Sequence, residues 1–137
     1  MFCGQCGEFI PETNHFCTKC GAPVAPKFKG EDKVDFFLVT ATVDEVNYTN
    51  HQELVSLVRR LKSDRVVIDL TRIKFVDSVG IGSLVTTAYS GARRGQNIKL
   101  LIKSKQVMKS IKTLGVDNIL ECNETLAEAV AGWGITL

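Results

Sequence analysis

The sequence predicts an α/β domain with a largely parallel or mixed sheet, preceded by a small module of a different kind. Three observations carry this expectation. Short apolar runs rich in β-branched residues alternate with stretches of helical periodicity. Four of the five cysteines crowd into the first twenty residues, as CGQC and CTKC. Between the two regions runs GAPVAPKFKGEDK, where Pro23, Pro26 and Gly30 interrupt any period and charges accumulate. The expected organisation is a cysteine module over residues 1–24, a linker over 25–33 and the α/β domain over 34–137.

Cys3 and Cys6 form one C-x2-C pair, Cys17 and Cys20 a second, with ten residues between them. A two-residue gap lets both thiolates of a pair turn onto one ion, and Gly7 and Gly21 permit the tight backbone that follows. Two such knuckles make the four-sulfur shell of a structural zinc site, so Cys3, Cys6, Cys17 and Cys20 are the expected ligands and zinc the expected cofactor. Two disulfides or a redox pair are the alternatives. A reducing compartment disfavours the first, and the second normally uses a single CxxC within a βαβ fold. His15 reads as a bystander, because four thiolates already complete the shell, and a closed shell argues against catalysis at the metal. Residues 1–24 carry one Lys against two Glu, a poor match to phosphate. The segment resembles the zinc ribbons at the ends of many bacterial proteins, which implies a docking role toward a second protein rather than direct nucleic-acid binding.

In the larger region, VDFFLVTATV from Val34 reads as a strand. NHQEL opens a helix, with Asn50 as cap, Glu53 completing a capping box, and Leu54, Leu57, Val58 and Leu61 on one face. RVVIDL has the continuous apolar character of a strand buried on both sides. After the turn FVDSVGIG, the side chains of Val79, Ile81, Leu84, Val85 and Ala88 suit the inner face of a second helix, ended by Arg93, Arg94 and Gly95. IKLLIK is a further strand. Ser104 starts a helix with Val107, Met108, Ile111 and Leu114 inward, Lys105, Lys109 and Lys112 solvated, and Gly115 as its stop. NILE reads as a short last strand, and Asn123 as the cap of a final helix through Leu126 and Val130.

Composition narrows the function. The chain of 137 residues is 45% hydrophobic and 23% charged, with a formal net charge of +2, too small to argue for a nucleic-acid or anionic-membrane partner. No apolar run reaches the roughly 20 residues of a membrane span, and no basic flank with an apolar signal core opens the chain, so a cytoplasmic location without membrane insertion is expected. His15 and His51 are the only histidines, and neither stands in a recognisable catalytic arrangement, so no enzyme is expected. Position 85 is Val, so Gly80 and Gly82 do not belong to a GxGxxG nucleotide loop. His51, just inside a helix start, reads as a solvated surface residue, and Cys122 as a structural bystander behaving as a small hydrophobe.

One stretch, FVDSVGIGSL from Phe75 to Leu84, places an acid and a serine directly after an apolar strand and two glycines after them. Taken alone, Ser78 reads as a helix cap worth about 1 kcal/mol. The longer pattern VVIDLTRIKFVDSVGIGSL, followed by a helix, a KLLI strand and a helix ending in LGV, resembles the STAS domain of bacterial anti-sigma factor antagonists, from about Val34 to Trp133. The resemblance implies a STAS-like mixed sheet with helices. It also implies a protein without enzymatic activity, working as a partner switch. In that family the serine after the aspartate, here Ser78 after Asp77, is phosphorylated by a partner that is both anti-sigma factor and serine kinase. The unphosphorylated form binds that partner and frees the sigma factor; phosphorylation ends the binding. The surface so implied comprises Asp77, Ser78, Val79, Gly80, Ile81 and Gly82, the last two glycines admitting a partner close to the backbone. The sequence departs from the family at Val79, where Ser or Thr is usual. The alternative is a STAS scaffold subunit of a transporter or other assembly that is never phosphorylated.

Overall fold

The computed structural model describes Phe2, Cys3 and residues 6–11, 17–21 and 27–137. His15, Pro23 and Pro26 lie outside the described residues. Five strands form the main sheet: β1 (Phe28–Asp32), β2 (Phe37–Ala41), β4 (Arg65–Asp69), β6 (Asn97–Leu101) and β7 (Glu121–Asn123), in the order β1-β2-β4-β6-β7. β1 runs antiparallel to β2, and the other neighbours are parallel. A separate parallel pair joins β3 (Glu45–Val46) to β5 (Phe75–Val76). The helices are α1 (His51–Arg59), α2 (Ser78–Arg93), α3 (Lys105–Thr113) and α4 (Leu126–Ala131).

Alternation along the central strands places a core on each face of the sheet. Val39, Val66, Ile68, Ile98 and Leu100 join the large core with Leu54 and Val58 of α1, Ile81 and Leu84 of α2, and Val107 and Ile111 of α3. Leu38, Val67 and Leu101 point the other way and meet Ala129 and Val130 of α4. Lys99 shares that second face and is buried. Its ammonium is satisfied there: Nζ donates to the Ala129 carbonyl at 2.7 Å and lies 4.5 Å from the centre of the Trp133 ring, a cation set at the C-terminal end of a helix.

Several elements differ from the expectations above. β1 lies within the stretch read as linker. It is an edge strand with only Phe28 buried, so its sequence FKGED carries no apolar signal. The single strand expected from Val34 is therefore the second arm of a hairpin, turning at Val34, which adopts φ 74° with its amide held by Asp32 Oδ1 at 2.8 Å. The last strand is Glu121–Asn123 rather than Asn118–Glu121, and α4 is capped by Thr125, whose Oγ1 accepts from Glu128 N at 3.2 Å, not by Asn123. Asn50 precedes α1, yet its side chain turns back into the preceding loop and the capping box does not form; Glu53 instead meets Lys27 at 3.6 Å. Ser104 does cap α3, accepting from Val107 N at 3.2 Å.

Candidate functional site

The turn from β5 into α2 is built around Asp77. Its backbone N–H donates to the Val46 carbonyl at 3.2 Å, extending the β3–β5 pair by one bond. Its Oδ1 accepts from Gly80 N at 2.7 Å, the bond of a helix cap, and its Oδ2 accepts from Tyr48 N at 3.0 Å. One carboxylate thus caps α2 and ties the loop before α1 to it. Asp77, not Ser78, is the cap. Ser78 is the first helical residue, it is exposed, and its hydroxyl makes no hydrogen bond among the described residues.

The glycines do unlike work. A Cβ on Gly80 would lie 2.6 Å from the Val46 carbonyl oxygen and 2.7 Å from Val76 Cγ1, so the start of α2 packs closely on the backbone of β3. Gly82 faces open space. Of the six residues expected to form the docking surface, Gly80 and Ile81 are therefore turned into the protein, while Ser78, Val79 and Gly82 are exposed and Asp77 is half-buried. Val79, expected on the inner face of α2, is 43% exposed, because the buried stripe runs through Gly80, Ile81, Leu84, Thr87 and Gly91.

Residues that the sequence reading did not assign to the site complete it. Tyr48 (72% exposed) and Phe75 (45%) join Val79 as large apolar side chains left in solvent on the segments that meet at Asp77. Asn50 holds the Tyr48 loop: it is buried, its Nδ2 donates to the Glu45 carbonyl at 2.8 Å and its Oδ1 accepts from Asn47 N at 2.9 Å. His51 is half-buried rather than solvated, with Nδ1 2.6 Å from Ser83 Oγ, which pins α1 to α2 just behind the turn. The short polar side chains of Asn47, Thr49 and Asn50 were the available signal for an ordered loop here.

At the N-terminus the sulfurs of Cys3, Cys6, Cys17 and Cys20 all lie within 4.8 Å of one another. Cys3 Sγ is 3.6 Å from Cys20 Sγ, and Cys6 Sγ 3.5 Å from Cys17 Sγ. Tetrahedral zinc with bonds of about 2.3 Å sets its sulfurs about 3.8 Å apart, so the donor set fits. The two knuckles close alike: Gly7 N donates to the Cys3 carbonyl and Gly21 N to the Cys17 carbonyl, each at 2.9 Å, with the glycines at φ 77° and 74°. The Cys20 backbone amide, chiefly, draws the Cys17 thiol below its ordinary value. The Glu8 backbone also pulls the Cys6 thiol down, but lost hydration and the three neighbouring sulfurs outweigh it and push that thiol up to about 12. Four thiols at this spacing titrate together, and a cation between them would favour their ionised form.

Residues 25–129 match the model of the STAS domain. The chain belongs to the STAS domain family. Among solved structures it resembles an anti-sigma factor antagonist from Mycobacterium paratuberculosis, with 21% identity, a TM-score of 0.68, and coverage of 79% of this chain and 96% of the other. The anti-sigma factor antagonist SpoIIAA in its unphosphorylated form gives 17% identity and a TM-score of 0.64 over 80% of this chain and 99% of its own. The murine Solute Carrier 26 family member A9 anion transporter matches at 18% identity and TM-score 0.64, over 74% of this chain but 18% of the transporter. At these identities the likeness establishes the fold. The STAS match begins after the four cysteines, which stand outside it, and takes in β1. Among the described residues, no helix of this STAS protein is long and apolar enough to cross a membrane.

Proposed function

We propose that this STAS protein is an anti-sigma factor antagonist that works without catalysis, binding an anti-sigma factor with serine kinase activity and being released when that partner phosphorylates Ser78. The observation that carries this reading is Ser78 itself: exposed, with its hydroxyl unengaged, at the first position of α2, where the segments bearing the exposed side chains of Tyr48, Phe75 and Val79 meet at Asp77. An exposed serine on a turn that also leaves apolar side chains in solvent offers both a phosphate acceptor and a docking surface. Because Asp77 already supplies the cap, Ser78 has no structural duty to explain its presence. A phosphate of about −1.5 to −2 charge would stand next to the Asp77 carboxylate and inside the contact area, adding repulsion and desolvation to the bound state. Ser78, Val79 and Gly82 would touch the partner, with Asp77 positioning them. Val79 in place of the usual hydroxyl residue adds apolar contact on the same rim. Cys3, Cys6, Cys17 and Cys20 would hold structural zinc, and the ribbon would dock a second protein.

Calorimetry with a serine-kinase anti-sigma factor of the same organism tests this. The native and Ser78→Ala proteins should bind alike, and Ser78→Asp should bind roughly thirtyfold or more weakly, about 2 kcal/mol. Circular dichroism should find all three folded. Equal affinities for the Ala and Asp forms, with no phosphate passed from ATP to Ser78, would instead favour the unphosphorylated scaffold.

A further inference from the structure

We infer that the groove between α3 and the β7–α4 segment binds a small amphiphilic anion, an apolar body carrying carboxylate or phosphate groups. The groove has a volume of about 780 Å³, within the range of small-molecule sites. Its lining includes Ile102, Met108 and Cys122, which pack against the large core and form an apolar floor. One wall is basic: Lys103, Lys105, Lys109 and Lys112, all exposed. Glu124 and Glu128 complete the lining from the β7–α4 side, and a Glu128 carboxylate oxygen already accepts from Glu124 N at 3.4 Å.

Lys103, Lys105 and Lys109 stand where the helix by itself disfavours them, whereas Lys112 sits in its last turn, where the macrodipole favours a cation. α3, KQVMKSIKT, contains no acid, and Lys105 and Lys109 are four residues apart, a spacing at which like charges repel. Lys103 and Lys105 flank the N-terminal end of the helix, where the macrodipole opposes a cation. Among the described residues none of the four makes an ion pair. An anion in the groove would offset all of these repulsions at once. The apolar floor selects against a bare inorganic ion, and the two glutamates confine the charged end of the ligand to the α3 wall. A volume of this size matches a small molecule rather than a docked chain.

Fluorescence titration of the full chain with 1-anilinonaphthalene-8-sulfonate, an amphiphilic anion, tests the inference. The native protein should bind it saturably, one per chain. Lys105→Gln with Lys109→Gln should weaken binding by roughly tenfold or more, and Lys29→Gln with Lys62→Gln, which removes the same charge elsewhere, by less than about twofold. Amide shifts on binding should centre on Met108 and Cys122. Equal weakening by the two double substitutions, non-saturating binding, or shifts centred on Tyr48 and Phe75 would overturn the assignment. So would tight binding of a synthetic heptaglutamate with none of the sulfonate.

Discussion

The two parts of this chain hold themselves together by different physics. In the STAS domain, nineteen buried residues form one core between the sheet and α1, α2 and α3, and a second core lies beneath α4. Among the described residues of the ribbon the buried set is Cys3, Ile10 and Cys17. Burying one Ile is worth about 1.5–3 kcal/mol, less than the cost of ordering a few residues at roughly 1–2 kcal/mol each. Burial among these described residues therefore contributes little, and a metal ion held by the four thiolates would supply the folding energy. The contrast teaches that a detachable module is one whose stabilisation comes from a single centre.

The sharpest way to break that contrast is to remove the metal. Chelation of the purified protein should release one zinc per chain and unfold the ribbon, a loss on the order of 10 kcal/mol, while the STAS domain keeps its denaturation midpoint. Metal analysis and amide spectra would read the two parts separately. The converse experiment cuts the large core. Ile68 is fully buried in β4, so Ile68→Ala should cost the STAS domain about 2–5 kcal/mol in urea unfolding and leave the metal content unchanged. Joint loss of both parts in either experiment would show one cooperative unit.

Within the STAS domain, the paired glycines of α2 sharpen the distinction between packing and docking. Gly80→Ala should destabilise by about 1–3 kcal/mol, because the new methyl meets the Val46 carbonyl, which belongs to the backbone and must shift. Gly82→Ala meets nothing and should be neutral or stabilising by up to about 1 kcal/mol, through helix propensity. Its effect, if Gly82 lies in the contact area, should show in partner binding.

The smallest effect separates Cys122 from the ribbon cysteines. Burial, with the nearby Asp117 adding to it, pushes the Cys122 thiol from 9.0 up to about 11. The native form therefore holds this proton more tightly than the unfolded chain. Its contribution to stability is complete below about pH 9 and is lost as pH rises through about 11. At neutral pH, alkylation should label the chelated ribbon well before Cys122, and Cys122→Ala should flatten the alkaline limb of the stability profile.

Much of this protein was determined by local sequence. The doubled C-x2-C with a following glycine dictates a knuckle pair wherever it occurs, because the ligand spacing and backbone are set within a few residues. RVVIDL and IKLLIK announce central strands, since a strand covered on both faces has few positions where a polar side chain is tolerated. FVDSVGIG marked the turn that presents Ser78. Tertiary structure alone decided the rest, wherever the partner of a group lies far along the chain. β1 is a strand only because β2 pairs with it, and its exposed FKGED gives no periodic sign of that. Asp77 caps α2 through a local bond to Gly80 N, but only the fold gives its second oxygen to Tyr48 N, 29 residues away. Gly80 is needed because β3 passes beneath it, Gly82 is not, and nothing local tells the two apart. The lysines of α3 read as a solvated face until β7 and α4 close a groove beside them. Periodicity records which side of an element is buried; what comes to lie against the other side is a long-range contact, and single-residue chemistry does not encode it.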